Sequence, residues 1–169
     1  PFFIPMLIAD ISAGYISIKH GLKGINYCTT SACASASHAI GEAFNSIRFG
    51  RAIGMLAGGS EASTTSMGIS GFNAMHALST RNDEPEKASR PFDLHRDGFI
   101  IGEGGAILVL EELDHARARD AKIYGEIVGT GFTADAYHIT APIPGGDGAK
   151  RAMNIAMKDA GITPTEVEY

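Results

Sequence analysis

With 169 residues, 44% of them hydrophobic and 20% charged, the chain is long enough for a domain with a real core. Its composition is that of an α/β protein, not of a disordered or fibrous one. A net charge of -5 and the lack of a basic stripe exclude nucleic acid as a partner, and two cysteines are too few to staple such a fold or build a zinc site, so a reduced, cytoplasmic setting is expected.

Residues 1–18 are apolar but interrupted by Pro5 and Asp10. They fall short of a membrane span, and with neither a basic lead-in nor a cleavage site they do not read as a signal peptide. The absent Met at the start, and an end that reads as the opening of a strand, make a piece of something larger the expectation. Residues 5–20 are predicted as one helix ended near Gly21. Residues 24–30 are predicted as a strand entering a tight turn. Residues 34–49 follow as a helix, with Ala36, Ile40, Ala43, Phe44 and Ile47 at a 3.6-residue period, Arg48 in the last turn and Gly50 just beyond it. Residues 53–57 read as a buried strand closed by Gly58-Gly59, and residues 60–79 as loop and short helix. Residues 81–96, polar and carrying Pro85 and Pro91, read as an exposed loop. Asp97-Gly98 is a turn signal before an apolar strand at 106–110. A charged helix at 113–121, a strand at 123–130 and a helix at 145–160 stopped by Gly161 complete the chain. Strands alternating with helices predict a sheet covered on both faces, with the charged helix as the join between two halves.

Cys33 stands where a predicted strand turns into a predicted helix, among small residues: Thr30-Ser31-Ala32-Cys33-Ala34-Ser35. A helix start offers unpaired N–H groups and the positive end of a dipole, which favour thiolate over thiol and can hold an oxyanion. The strand–nucleophile–helix elbow of hydrolases is built alike, with oxygen for sulfur. A lone cysteine is also commonly a small core residue, so local sequence leaves both readings open for Cys33. Cys28, inside the predicted strand, fits the core reading better. A nucleophilic cysteine needs a base or proton shuttle. His38 lies five residues on, a rotation of about 140° along a helix, which excludes it. His20, His76, His95, His115 and His138 are isolated, no paired-His spacing occurs, and no metal site is expected. His115, amid Glu111, Glu112, Asp114 and Arg117, reads as a solvated helix residue, and His95 as shaping a turn.

Residues 30–41, Thr-Ser-Ala-Cys-Ala-Ser-Ala-Ser-His-Ala-Ile-Gly, resemble the active-site motif of β-ketoacyl-acyl-carrier-protein synthases. Residues 57–62, Ala-Gly-Gly-Ser-Glu-Ala, are similar to that family's Gly-rich strand end. Residues 77–83, 89–93 and 96–99 together resemble its central signature, and residues 135–140, Asp-Ala-Tyr-His-Ile-Thr, a segment typical of its type II elongation branch. The resemblance runs in order through nearly the whole chain and marks it as a central fragment.

It implies a thiolase-like layered α-β-α-β-α fold, incomplete here, with mixed sheets flanked by helices. Residues 1–118 would be the latter part of the half that carries the nucleophile, and 119–169 the start of the second half. It implies a homodimer that works with acyl carrier protein; no membrane partner is expected from the sequence. Cys33 would accept an acyl chain as a thioester, and the carbanion left when malonyl-carrier protein loses CO₂ would attack it, giving a 3-oxoacyl chain two carbons longer. No cofactor is implied beyond the carrier's phosphopantetheine arm. Phe99 matches an aromatic near the reactive cysteine, or is an ordinary core residue. His138 and Thr140 match positions near the pantetheine path, or hold a loop. His76, where many type II members carry Arg, and Arg81 would serve carrier docking. Gly102, Gly104 and Gly105 suggest tight strand packing rather than a phosphate cradle.

The family's two catalytic histidines, its lysine and its second oxyanion loop have no counterpart in these residues, so acylation of Cys33 is the most the chain alone is expected to achieve. A degradative thiolase is disfavoured by the Ala-Cys-Ala-Ser-Ala-Ser-His run and the Asp-Ala-Tyr-His segment. A polyketide ketosynthase domain would more usually show serines after the cysteine, and a non-catalytic chain-length partner subunit would commonly lack it.

Overall fold

The computed structural model describes all 169 residues. They form two packed units, one of residues 1–57 with 109–169, the other of residues 58–108. This division by packing differs from the division into sequence halves at 118–119.

In the first unit the predicted opening helix is two. Helix α1 covers Phe3–Leu7 and α2 covers Ile11–His20. Pro5 sits in the first turn of α1, where its missing N–H costs nothing. The break falls at Ile8, whose backbone is extended, and a new helix begins after Asp10. Gly21 ends α2 in the left-handed conformation at φ 66°. Helix α3, Ser35–Arg48, follows a single 3₁₀ turn at Ala32–Ala34. Gly50 stands past its end with φ 67°, as the sequence predicts. Helix α3 buries Gly41, Ala43 and Ser46.

Strand β1, Gly54–Glu61, pairs with β2, Gly104–Glu111. Gly54 lies beside Leu110 and Gly58 beside Ala106, so the pair is antiparallel. Gly58-Gly59 therefore belongs to the strand instead of closing it. A Cβ on Gly58 would come within 2.0 Å of the Ala106 carbonyl oxygen, whereas Gly102 and Gly104 face open space. The tight packing expected of the later glycines belongs to Gly58.

Helix α4 is Ser66–Ala74, in the second unit, capped by Thr65 Oγ1, which accepts from the Gly68 N–H at 3.1 Å. Helix α5, Leu113–Ala118, is shorter than predicted. The helix and the residue that ends it, Arg119, are tied to the end of β2, because Glu111 accepts from Arg119 Nε at 2.8 Å and Nη2 at 2.6 Å and also bonds His115. Arg119 and then His115 hold the Glu111 carboxyl down at about 2. Helix α6, Asp147–Ala160, runs between Gly146 and Gly161, both left-handed.

Residues 24–30 and 123–130, predicted as strands, have no ladder partner in this chain and form no strand. A strand is stable only when its backbone groups find neighbours, whatever its own propensity. Residues 129–131 lie instead against α6. A Cβ on Gly131 would meet the Ala152 carbonyl oxygen at 2.0 Å. Asp159 ties three elements together: it pairs with Arg48 of α3 at 2.7 Å and accepts the Thr130 N–H at 3.0 Å. Arg48 first, then that N–H, lower its carboxyl from the ordinary value.

The buried apolar residues are all alanines: Ala43, Ala57, Ala88 and Ala116, and no large side chain is fully buried. The accessible surface is 13151 Å², where a folded monomer of 17.7 kDa exposes about 7,900 Å². Phe2, Phe3, Met6, Tyr15, Ile18, Phe92 and Ile139 are among the large apolar side chains left in solvent. A surface this apolar binds hydrophobic dyes. The isolated chain is expected to enhance anilinonaphthalene sulfonate fluorescence several-fold over an ordinary globular protein of its size; unenhanced emission would show the surface to be covered.

Candidate active site

Cys33 occupies the middle of the 3₁₀ turn, directly before α3, with its thiol exposed. Ala32 before it has φ 48°, in the left-handed region that non-glycine residues rarely enter. Side-chain bonds fold the segment onto itself. The Ser31 N–H donates to Ser35 Oγ at 2.7 Å, Ser35 Oγ donates to the Ala32 carbonyl at 2.8 Å, and Thr29 Oγ1 donates to the Ser35 carbonyl at 2.8 Å. The Cys33 N–H makes no hydrogen bond within the chain. His38 does not reach the thiol; its Nδ1 meets Ser31 Oγ at 2.6 Å. Cys28 is exposed, not a strand core residue, and its Sγ donates to the Thr29 carbonyl at 3.4 Å.

His138 and Thr140 lie in the same unit, in the segment leading to α6. Asp135 fastens this segment by accepting the Ile143 N–H at 3.0 Å, and Arg151 by donating to the Ala134 carbonyl at 2.8 Å. His138 Nδ1 accepts the N–H groups of Thr140 and Ala141, each at 3.1 Å. In its neutral form the ring therefore carries its proton on Nε2, which is left to donate outward.

Phe99 belongs to the other unit. It pairs as an isolated parallel bridge with Leu78, its N–H donating to the Ala77 carbonyl at 3.0 Å and its carbonyl accepting the Ser79 N–H at 3.1 Å. Its ring meets Phe72 of α4 edge-on at 5.2 Å. A knot around Asp97 sets this placement. Asp97 Oδ1 accepts from Ser79 Oγ at 2.6 Å and Arg90 Nη2 at 3.0 Å, and Oδ2 from the Thr80 N–H at 2.9 Å. The Ser79 hydroxyl, then the Thr80 N–H and Arg90, hold the Asp97 carboxyl down at about 2. Gly98 has φ 145°, and a Cβ there would strike the Leu78 carbonyl carbon at 2.4 Å.

Arg81, expected to face a carrier protein, is paired with Glu84, which also takes Lys87. Glu84 raises the Arg81 guanidinium above its ordinary value. His76 sits past the end of α4 with φ 53°. The helix face of Met67, Gly68, Gly71, Phe72 and Met75 forms an open apolar groove of about 320 Å³. Its one signal in the sequence is the spacing of Met67, Gly71 and Met75, which is that of a single helix face.

A family model for the N-terminal domain of β-ketoacyl synthases matches residues 1–116, and one for their C-terminal domain matches residues 124–169. The chain belongs to the β-ketoacyl synthase family. Over all 169 residues it is 55% identical to a 3-oxoacyl-[acyl-carrier-protein] synthase 2 of Synechocystis sp. and 56% identical to one of Staphylococcus aureus, covering 41% and 42% of those proteins. The chain thus spans about two fifths of the length of the curated relatives it matches. A solved type II PKS ketosynthase, in complex with its acyl-carrier protein and bound to the hexaketide, superposes with a TM-score of 0.92 at 40% identity, over 95% of this chain and 40% of that one. A β-ketoacyl synthase from Burkholderia phymatum STM815 gives 0.89 at 44% identity, over 95% and 38%. The synthase fold is thiolase-like α/β, and this chain carries it incompletely, as helices with one two-stranded sheet.

Two outcomes test the Phe99 support. Gly98→Ala is expected to lower unfolding stability by about 1–3 kcal/mol in denaturant titration, through backbone strain. Because folding depresses the Asp97 carboxyl, its stabilisation is full above the unfolded value of about 4 and is lost as pH falls toward 2. Asp97→Asn should therefore flatten the decline in melting temperature across that acid window; an unchanged decline would remove Asp97 as its source.

Proposed function

We propose that this chain supplies the acyl-accepting part of a 3-oxoacyl-acyl-carrier-protein synthase of fatty acid biosynthesis. The reading rests on identity of 55–56% across the whole chain to synthases of that name, with Cys33 in the 3₁₀ turn directly before α3. The Cys33 thiolate attacks the thioester carbonyl of an acyl-carrier protein. A Cys33 thioester forms and the carrier's pantetheine thiol leaves. The Cys33 N–H, which makes no hydrogen bond within the chain, is free to donate to the oxyanion that develops. In the complete enzyme a malonyl-carrier protein then loses CO₂, its carbanion attacks the thioester carbonyl, and the Cys33 thiolate departs from a 3-oxoacyl product.

His138, with Nε2–H directed outward, and Thr140 suit the polar part of a pantetheine arm. The Met67–Met75 groove suits a flexible hydrocarbon, because thioether side chains adapt to such a shape. Phe99 lies beside that groove, on Phe72. Docking of acyl carrier protein near His76 is part of the reading, with Arg81 the weaker candidate because Glu84 already holds it. The structural relative in complex with an acyl-carrier protein supports such a partner. Homodimer formation, a cytoplasmic setting, the division into halves at 118–119 and a reaction without a resident cofactor complete the proposal. No helix is long and apolar enough to cross a membrane. Polyketide condensation is the second reading, favoured by the TM-score of 0.92 to a type II PKS ketosynthase.

Incubation with a long-chain acyl-carrier protein should raise the intact mass of the chain by one acyl group. Cys28→Ala should keep the adduct and Cys33→Ala should lose it. No 3-oxoacyl product is expected from these residues alone. An adduct that survives Cys33→Ala would sink the proposal.

A further inference from the structure

We propose that His38 is a positioning residue for Cys33, acting through the Ser31 hydroxyl and not on the thiol itself. The inference rests on the reading of Cys33 as the acyl acceptor. It starts from Ala32, whose φ of 48° carries no glycine's freedom and persists only if its surroundings hold it. Three of the side-chain bonds that hold it come from Thr29 and Ser35, within the turn and the first residue of α3. The fourth, His38 Nδ1 to Ser31 Oγ at 2.6 Å, reaches back from farther along the helix and anchors the turn to α3.

His38 is fixed in its own place. Its ring stands edge-on to Phe132, with centroids 4.8 Å apart at 68°. Phe132 in turn fills the space left by Gly41, where a Cβ would lie 2.2 Å from the Phe132 Cζ. A mechanical chain thus runs from Gly41 through Phe132, His38 and Ser31 to the Ala32 backbone. All of it lies in one packed unit. The φ of Ala32 sets where the Cys33 N–H and side chain emerge relative to the start of α3. If Ser31 is released, Ala32 is free to return to negative φ, and the thiol and the N–H leave the positions they hold before the start of α3. A proton on either partner satisfies the bond, Ser31 donating to Nδ1 or the reverse. Its loss is therefore a matter of geometry.

The test is the rate of iodoacetamide alkylation of Cys33 near neutral pH, resolved by peptide mass, with Cys28 as internal reference. His38→Phe keeps a ring against Phe132 but removes the hydrogen bond, and Ser31→Ala removes the other partner. Each is expected to slow Cys33 relative to Cys28 by about three- to tenfold, the range one hydrogen bond supports. The double variant should be no slower than either single one, because both cut the same link. His38→Asn, which offers a polar atom where Nδ1 stood, should restore most of the rate. An unchanged Cys33 rate in His38→Phe, or additive losses in the double variant, would overturn the proposal. If His38→Phe does not fold, the slowing in Ser31→Ala and the retention in His38→Asn decide it. A parent Cys33 no faster than Cys28 would count against the acyl-accepting reading, while the ratios among variants would still judge His38.

Discussion

Helix α3 can be approached closely only because its buried face is made of Gly41, Ala43 and Ser46. The Phe132 ring occupies the gap over Gly41, Arg48 at the far end reaches Asp159 on α6, and Asp159 in turn takes the Thr130 N–H. The same constraint works at α6, where Gly129 and Gly131 let an irregular segment lie against helix backbone. Interiors reward shape complementarity, and here it is reached by removing side chains. Cys33 gains its placement from this arrangement, since α3 is the element against which its turn is folded.

How much of this was legible in the sequence depended on the range of the interactions. Helix ends were readable because they are local: Gly21, Gly50 and Gly161 each stand in the left-handed conformation their positions called for. The break in the first helix was less so, although Pro5 and Asp10 were both visible, because either is tolerated in a first turn. Strands were misread where their partners are lacking. Residues 24–30 and 123–130 have the composition of strands and nothing beside them to complete a ladder. The swap between Gly58 and Gly102–Gly105 has the same origin, since which glycine meets a neighbouring carbonyl is a question of register, set across strands and invisible along one.

The site was legible in a different way. The motif around Cys33 carried the resemblance to the family that the chain belongs to, while His38 is held by Ser31 and not by the rotation of a helix that begins only at Ser35. What a helical wheel could not show was that the ring folds back onto Ser31, because Ser31 lies outside the helix and its position depends on the unusual φ of Ala32. The Asp97 knot was hidden for a similar reason. Asp97-Gly98 reads as a turn, but the partners that make it a clamp, Ser79, Thr80 and Arg90, are up to 18 residues away in sequence. The ion pair of Arg81 with Glu84, three positions on, is local and yet went unread, because the motif drew attention to the cation alone.

An alanine-only core changes where this chain is vulnerable. Truncating a large buried side chain leaves a cavity, and that is how most domains are damaged by substitution. Here no large side chain is fully buried to begin with. A substitution scan of the isolated chain would find its exposed phenylalanines, leucines and isoleucines broadly tolerant, Phe132 apart, with the intolerant positions gathered at Gly41, Gly58, Gly98 and Gly131. Its map of sensitivity would trace backbone clearances instead of side-chain volumes.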